Sequence, residues 1–101
     1  MAAGLILEFE GVTVDHYNAV NAELGIDMAS GKGAWPEGLL SHSAGLSASG
    51  NFVVMEVWDT PEHQARFMED RLGEALAKGG VTDPPSNMTW IELEAHHNPG
   101  A

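Results

Sequence analysis

The sequence has no cysteine and few basic residues, and these two absences exclude several kinds of site. Without cysteine there can be no disulfide framework, no thiolate nucleophile and no cysteine-ligated metal. Only four Lys and Arg residues stand against fifteen Asp and Glu residues, which gives a formal net charge of −11. Because nucleic acids and anionic membrane surfaces are bound by basic surfaces, we expect neither as a partner.

Long apolar runs are also missing from the chain. No run approaches the ~20 residues that cross a bilayer. The first residues, MAAGLILEFEG, have no basic region and soon become acidic, unlike a secretory signal. A cytoplasmic protein is therefore expected. The 101 residues, 44% of them hydrophobic, suit one compact domain, and we assign residues 1–101 to it.

The apolar residues recur in patterns that predict alternating strands and helices. Alternating and β-branched runs predict four strands, over residues 5–10, 39–46, 52–58 and 88–95. Helical spacing follows Thr13 and Thr60, which are typical N-cap residues, and ends at Gly25 and Gly79. The order βαββαβ predicts an α+β, ferredoxin-like fold, in which two helices cover one face of a four-stranded antiparallel sheet.

The two faces of this sheet are expected to differ in what covers them. We place under the helices Leu5, Leu7, Phe9, Val53, Met55, Val57, Ile91 and Leu93. The opposite face would then carry Ile6, Leu40, Ala44, Phe52, Val54, Trp58 and Trp90. Such a large apolar area favours burial against a second copy of the chain. We therefore predict a homodimer joined sheet to sheet, with a cavity between the sheets.

The hairpin LLSHSAGLSASGNFVVMEVW contains the candidate catalytic residues. Pairing its strands about a turn at residues 49–51 sets His42 opposite Glu56, among apolar neighbours. Burial and mutual interaction can tune such a pair as a proton acceptor. We hypothesise that His42 acts as a general base and that Glu56 orients it. Glu8, on the strand predicted to lie beside that of Glu56, would share or exchange a proton with it.

The remaining candidate residues are apolar or aromatic and would bind a substrate. The predicted substrate-binding residues are Leu40, Phe52, Val54, Trp58 and Trp90, together with Trp35 from the Gly-rich connection over residues 26–38. Aromatic rings on a cavity wall would stack on a planar, apolar metabolite. Simpler interpretations stay open for both features. The polar side chains could be solvated in a wet cavity or could fix the dimer. The connection over residues 26–38 is long enough to form a lid or a plug over the cavity, but it could also be a surface loop.

No metal or cofactor site is predicted. His96 and His97 are adjacent but lie in a tail that we expect to be frayed, and no close-spaced set of metal ligands accompanies them. The glycines around Lys32 lack the spacing and the strand–helix context of a dinucleotide fingerprint.

Three stretches, in this strand–helix order, carry a family resemblance: GLLSHSAG, VVMEVWDTPE and ARFMEDRLGEAL. They resemble the dimeric α+β barrel superfamily, close to the antibiotic biosynthesis monooxygenase-like family and its small relatives. The resemblance implies a homodimer with a ligand cavity on the sheet face that lacks helices. It also implies activities ranging from cofactor-independent oxygenation of polyketide aromatics to haem degradation and isomerisation. The Asn, Trp and His set associated with haem degradation is not recognisable here as a spaced motif.

Two classes of function therefore remain. In the first, the protein is a cofactor-independent monooxygenase or an isomerase, in which His42 removes a proton from an acidic carbon or a phenol of a planar substrate. In the second, it is a non-catalytic protein that binds an apolar metabolite or assists another enzyme. Saturable ligand binding without product formation would favour the second class.

Overall fold

The structure is a computed structural model that describes residues 2–99. Its main sheet consists of β1 (Ala3–Phe9), β4 (Leu39–Leu46), β5 (Phe52–Trp58) and β6 (Asn87–Glu92). These strands lie in the order β4-β5-β1-β6, and neighbouring strands are antiparallel. A short hairpin of β2 (Ile26–Asp27) and β3 (Lys32–Gly33) lies in the connection before β4. The predicted ferredoxin-like sheet is confirmed, with this small hairpin as an addition.

Two helical stretches complete the fold. They are α1 (Val14–Leu24) and a longer stretch made of α2 (Pro61–Phe67), a π-helical segment (Met68–Leu72) and α3 (Gly73–Lys78). Thr13 and Thr60 each cap a helix by accepting a hydrogen bond from the backbone N–H three residues on, and Gly25 ends α1 with φ 77°. Within residues 2–99, none of these helices combines the length and hydrophobicity that a bilayer crossing requires.

The helices cover the opposite set of β5 side chains from the one we predicted. Directly paired residues of antiparallel strands point to the same face. The ladder pairs Leu5 with Glu56 and Leu7 with Val54, so the even-numbered residues of β5 face the helices. Trp58 is 0% exposed, whereas Met55 is 52% exposed. The predictions that Val53, Met55 and Val57 lie under the helices, and that Phe52, Val54 and Trp58 lie on the bare face, are wrong.

The physical reason is that both alternating sets of β5 are apolar. A run such as FVVMEVW has no polar side apart from one glutamate, so its period does not identify the buried face. Burial of Phe52 and Trp58 removes more apolar area from water than burial of valines and a methionine. The larger side chains therefore decide which face the helices cover.

The two edge strands depart from the prediction in the same way. On β6, Trp90 is paired with Leu5 and so lies on the helix side, while Ile91 lies on the outer face. Leu93 follows β6 and packs near Gly4 of that outer face. On β4, Ala44 is paired with the buried Val54 and so lies on the helix side, not on the outer face as predicted, while Leu40 falls at a register shift and is 51% exposed. Ile91 and Leu93 are therefore not under the helices, and Trp90 is not on the outer face.

Candidate functional site

A cavity of about 610 Å³ lies between the sheet and the helices. Its walls are mostly apolar and come from β1, β4, β5, α1, the π-helical segment and the loop that follows α3. A volume of this size is typical of pockets that bind small molecules. His42 and Glu56 both line it. The cavity thus lies inside one chain, and the prediction that this pair faces a space between two sheets is wrong.

His42 and Glu56 are paired across β4 and β5, as the hairpin pattern predicted. The turn closes through two hydrogen bonds, from the Ser47 N–H to the Asn51 carbonyl and from the Gly50 N–H to the Ser47 carbonyl, both 2.9 Å. The His42 Nδ1 and Glu56 Oε2 atoms are 2.9 Å apart, and the two side chains are only 12% and 11% exposed. The ladder register therefore holds an ionisable pair in the wall of an apolar cavity.

Two more side chains extend this pair into a chain of hydrogen bonds. The Trp58 indole N–H donates to Glu56 Oε1 over 3.0 Å. The Tyr17 hydroxyl of α1 lies 2.5 Å from His42 Nε2. Each carboxylate oxygen of Glu56 and each ring nitrogen of His42 is thus occupied by a named partner. Such a network fixes the orientation of the imidazole before any ligand arrives.

The partners also fix which ring nitrogen carries the proton. A carboxylate can only accept hydrogen bonds, so His42 Nδ1 must donate to Glu56. In a neutral imidazole the other nitrogen is then an acceptor, and the Tyr17 hydroxyl donates to Nε2. The result is a directed chain from Tyr17 through His42 to Glu56. The ring nitrogen that carries no proton in this chain is Nε2, which accepts the hydrogen bond from Tyr17.

Tyr17 keeps its proton at neutral pH. Burial raises the pKa of the phenol above its usual value of 10.0, the side chain of Asn21 partly offsets this, and the negative charge of Glu56 adds to it. The group beside His42 is therefore a neutral hydroxyl, able to donate one hydrogen bond and to accept another.

Tyr17 and Asn21 are site residues that the sequence reasoning missed. In the helical spacing after Thr13, Tyr17 falls on the same stripe as Val20 and Leu24, so the pattern alone indicates a core residue. Both Tyr17 and Asn21 line the cavity, and Asn21 is 6% exposed. The available signal was their spacing: two polar side chains four residues apart lie on one helix face, here the face that packs on the sheet.

Trp35 forms another wall of the cavity, from the connection between α1 and β4. Its ring lies 5.7 Å from the His42 ring, centroid to centroid, and its indole N–H donates to the Gly31 carbonyl over 2.9 Å. Arg71 of the π-helical segment holds this connection by donating to the carbonyls of Leu24 (3.0 Å) and Ala34 (2.7 Å). The connection is therefore anchored against the helices beside the site.

The structure brings together some of the predicted site residues and separates others. His42, Glu56, Phe52, Val54 and Trp35 line the cavity. The described residues that line the cavity do not include Leu40, Trp58 or Trp90. Trp58 instead lies beneath the wall, where its ring is 5.9 Å from that of Phe67.

Glu8 is also separated from the pair. It is paired with Val53 on the outer face of the sheet, and its Oε2 accepts a hydrogen bond from Asn51 Nδ2 over 2.6 Å. The predicted contact between Glu8 and Glu56 is wrong, because neighbouring strands place these two side chains on opposite faces. Within residues 2–99, no group of three or more His, Asp or Glu side chains is placed to hold a metal ion.

Solved structures share this architecture. A protein from Chloroflexus aurantiacus J-10-fl with the provisional name antibiotic biosynthesis monooxygenase superposes with a TM-score of 0.66 at 19% identity, covering 99% of this chain and 100% of that one. Rv0793 from Mycobacterium tuberculosis gives 0.63 at 18% identity, covering 97% and 100%. A monooxygenase from the gene ActVA-Orf6 of Streptomyces coelicolor, in complex with the ligand nanaomycin D, gives 0.53 at 19% identity, covering 98% and 91%.

Sequence comparison adds nothing to these structural matches. No protein-family model matches the chain, and no curated protein matches it at a significant level. At identities below one fifth, the structural likeness speaks for the fold and not for the reaction. The chain therefore has the α+β, ferredoxin-like fold of antibiotic biosynthesis monooxygenase-like proteins.

Proposed function

We propose that the protein binds a planar, mainly apolar small molecule in the cavity and removes a proton from it. The observation that carries this proposal is the hydrogen-bonded chain Tyr17–His42–Glu56 in the wall of an otherwise apolar cavity. Buried polar groups are as a rule hydrogen-bonded, and these three are paired with one another in the lining of the cavity. Here the chain ends at a hydroxyl that a ligand can reach.

The proton path follows from the tautomer of His42. Its Nε2 is occupied by the Tyr17 hydroxyl, so a proton that leaves the ligand passes to Tyr17 Oη while the Tyr17 proton moves to Nε2. The imidazolium that forms is stabilised by Glu56, which stays hydrogen-bonded to Nδ1. The ligand is left as an anion, a carbanion or a phenolate, next to the aromatic ring of Trp35.

We further propose that this anion reacts with dioxygen, which makes the protein a cofactor-independent monooxygenase. For a substrate with an acidic ring methylene, one oxygen atom becomes a carbonyl on that carbon. The other leaves as water with the two methylene hydrogens, so no external reductant is needed. The fold shared with a monooxygenase solved in complex with nanaomycin D supports this choice. Without oxygen, the same deprotonation would support an isomerisation.

Anthrone, a planar three-ring ketone with an acidic methylene, is a suitable probe of this reaction. We expect the protein to speed the conversion of anthrone and dioxygen to anthraquinone and water, with one dioxygen consumed per anthrone. An oxygen electrode and absorbance measurements follow both quantities. Saturable quenching of tryptophan fluorescence by anthrone without faster product formation would instead favour the alternative, a non-catalytic ligand-binding or accessory protein.

We also propose that the protein is a homodimer, joined through the outer face of the sheet. This face carries Ile6, Val53, Met55, Val57 and Ile91, an apolar group of which Met55 and Ile91 are 52% and 42% exposed. The packing of two such faces would remove this apolar area from water. These outer-face residues take the place of the dimer interface that was predicted from the sequence, with Ile6 common to both sets. A cytoplasmic location stays a prediction.

The substitution Met55→Asp should convert the dimer into a monomer, because it places a charge in the centre of the apolar group. Sedimentation equilibrium over a range of protein concentrations measures the change. Leu46→Asp is a matched control: Leu46 is 61% exposed, but it is paired with Phe52 on the helix side of the sheet. A wild-type protein that sediments as a monomer, or equal effects of both substitutions, would contradict this interface.

A further inference from the structure

Asn21 has a buried hydrogen-bond donor without a partner. Its side chain is in the middle of α1 and the residue is only 6% exposed. Within residues 2–99, its Nδ2 atom makes no hydrogen bond of acceptable geometry, although the Tyr17 side chain lies beside it. Nδ2 is the only buried side-chain nitrogen or oxygen of this kind in the described part of the chain. An unpaired buried donor of this type lowers the stability of the folded protein.

The position of Asn21 indicates what this donor is for. The residue lines the cavity, and it lies one helical turn after Tyr17, on the same face of α1. Its side chain is close enough to Tyr17 to influence the phenol. The cavity wall therefore presents two polar groups side by side. The Tyr17 hydroxyl donates its hydrogen bond to His42, and the Asn21 NH2 group can only act as a donor.

The charges around the cavity narrow the chemistry of the group that Asn21 binds. Among the described residues that line it, none is Lys or Arg, whereas Glu56 and Asp83 are acidic. An oxygen that gains negative charge when the ligand loses a proton can thus be stabilised only by the imidazolium of His42 and by neutral donors. A hydrogen bond to a charged oxygen is stronger than one to a neutral oxygen. A free N–H in the wall is well suited to this task.

We infer that Asn21 Nδ2 donates a hydrogen bond to a carbonyl or phenolate oxygen of the ligand, and so selects oxygenated aromatic molecules over hydrocarbons of the same shape. Asn21 is then a specificity-determining residue of the cavity. The inference rests on the ligand binding proposed above, but not on the reaction with dioxygen. In this account, the unpaired Nδ2 of Asn21 gains its hydrogen-bond acceptor, an oxygen atom of the ligand, only when the ligand binds.

Fluorenone and fluorene test this inference, because they share one ring skeleton and differ by a carbonyl in place of a methylene. Their dissociation constants can be measured by quenching of tryptophan fluorescence. The wild-type protein should bind fluorenone more tightly than fluorene. Asn21→Leu should weaken fluorenone binding by about tenfold and leave fluorene binding unchanged. Asn18→Leu, the same change at an exposed position of α1, should alter neither constant.

The thermal stability of the unliganded protein gives a second readout that a structural role would move in the opposite direction. If the donor is unpaired until a ligand binds, Asn21→Leu leaves the melting temperature unchanged or raises it by roughly 4 °C or more. A clear fall in melting temperature, with equal loss of both ligands, would assign Asn21 to the core packing and overturn the inference. Equal wild-type affinities for fluorenone and fluorene would also overturn it.

Asn21→Ala serves as a second variant should the leucine side chain not fit. It also lacks the donor and should abolish the preference for fluorenone. Because neither probe needs to react, the outcome is independent of oxygen uptake. A protein that prefers fluorenone through Asn21 but does not oxidise anthrone would refute the monooxygenase proposal and keep this inference.

Discussion

Substitution of His42 by glutamine should lower the rate of anthrone oxidation by about 10²–10⁴-fold, the usual contribution of a general base. Glutamine has a similar length and can still contact Glu56, but it cannot take up a proton. The affinity for anthrone should change little, because the apolar walls of the cavity remain. Oxygen uptake measures the rate, and quenching of tryptophan fluorescence measures the affinity.

The matched control for this substitution is His97→Gln, which makes the same change at an exposed histidine after β6. Tyr17→Phe separates two routes for the proton. If the proton passes through the Tyr17 hydroxyl, this variant loses most of the activity; if it goes directly to Nε2, the activity is retained. Wild-type rates in His42→Gln, with anthrone still bound, would show that the histidine is not the base.

The pairing of His42 with Glu56 could be predicted from the sequence because it depends on local features. A short turn at residues 47–51 sets the register of its two strands, and the register sets which residues lie opposite each other. The caps at Thr13 and Thr60 were predictable for the same reason, since the donor that each side chain binds is three residues away.

The side of the sheet on which this pair lies could not be predicted. It depends on which of the two alternating sets of β5 residues faces the helices, and the sequence of β5 does not decide this. The buried face of β1 is clear from its sequence, because the large apolar residues Leu5, Leu7 and Phe9 occupy alternate positions. β5 is apolar on both faces, and a glutamate on one of them looks like the mark of a solvent-facing side. In the fold, Glu56 is on the buried side, where hydrogen bonds from His42 and Trp58 offset the loss of water.

Because the pair lies on the helix side of the sheet, the site does not need a second chain to complete it. A pair in a space between two sheets would depend on the dimer for its surroundings. A pair between the sheet and α1 is completed within one chain, by Tyr17 and Asn21. Ligand binding and self-association then become separate properties. A variant that is monomeric through Met55 should still bind anthrone, since none of the residues described in the cavity wall belongs to the outer face.

Substitution of Trp58 by alanine should lower the free energy of unfolding by about 3–5 kcal/mol, as expected for the loss of a large buried aromatic side chain. Trp58 is 0% exposed, and its ring packs near Phe67. Trp90→Ala is the matched control: Trp90 lies on the helix side too, but it is 38% exposed, and its loss should cost much less. Urea unfolding followed by circular dichroism, at one fixed protein concentration, measures both.

Trp58→Phe then separates packing from hydrogen bonding. It keeps most of the buried ring but removes the indole N–H, so Glu56 Oε1 loses its donor. We expect a smaller loss of stability, about 1–3 kcal/mol. We also expect slower anthrone oxidation, because Glu56 is then free to turn away from His42. Equal stability losses in Trp58→Ala and Trp90→Ala would contradict the burial of Trp58. A fully active Trp58→Phe variant would show that the indole supports the fold without positioning the base.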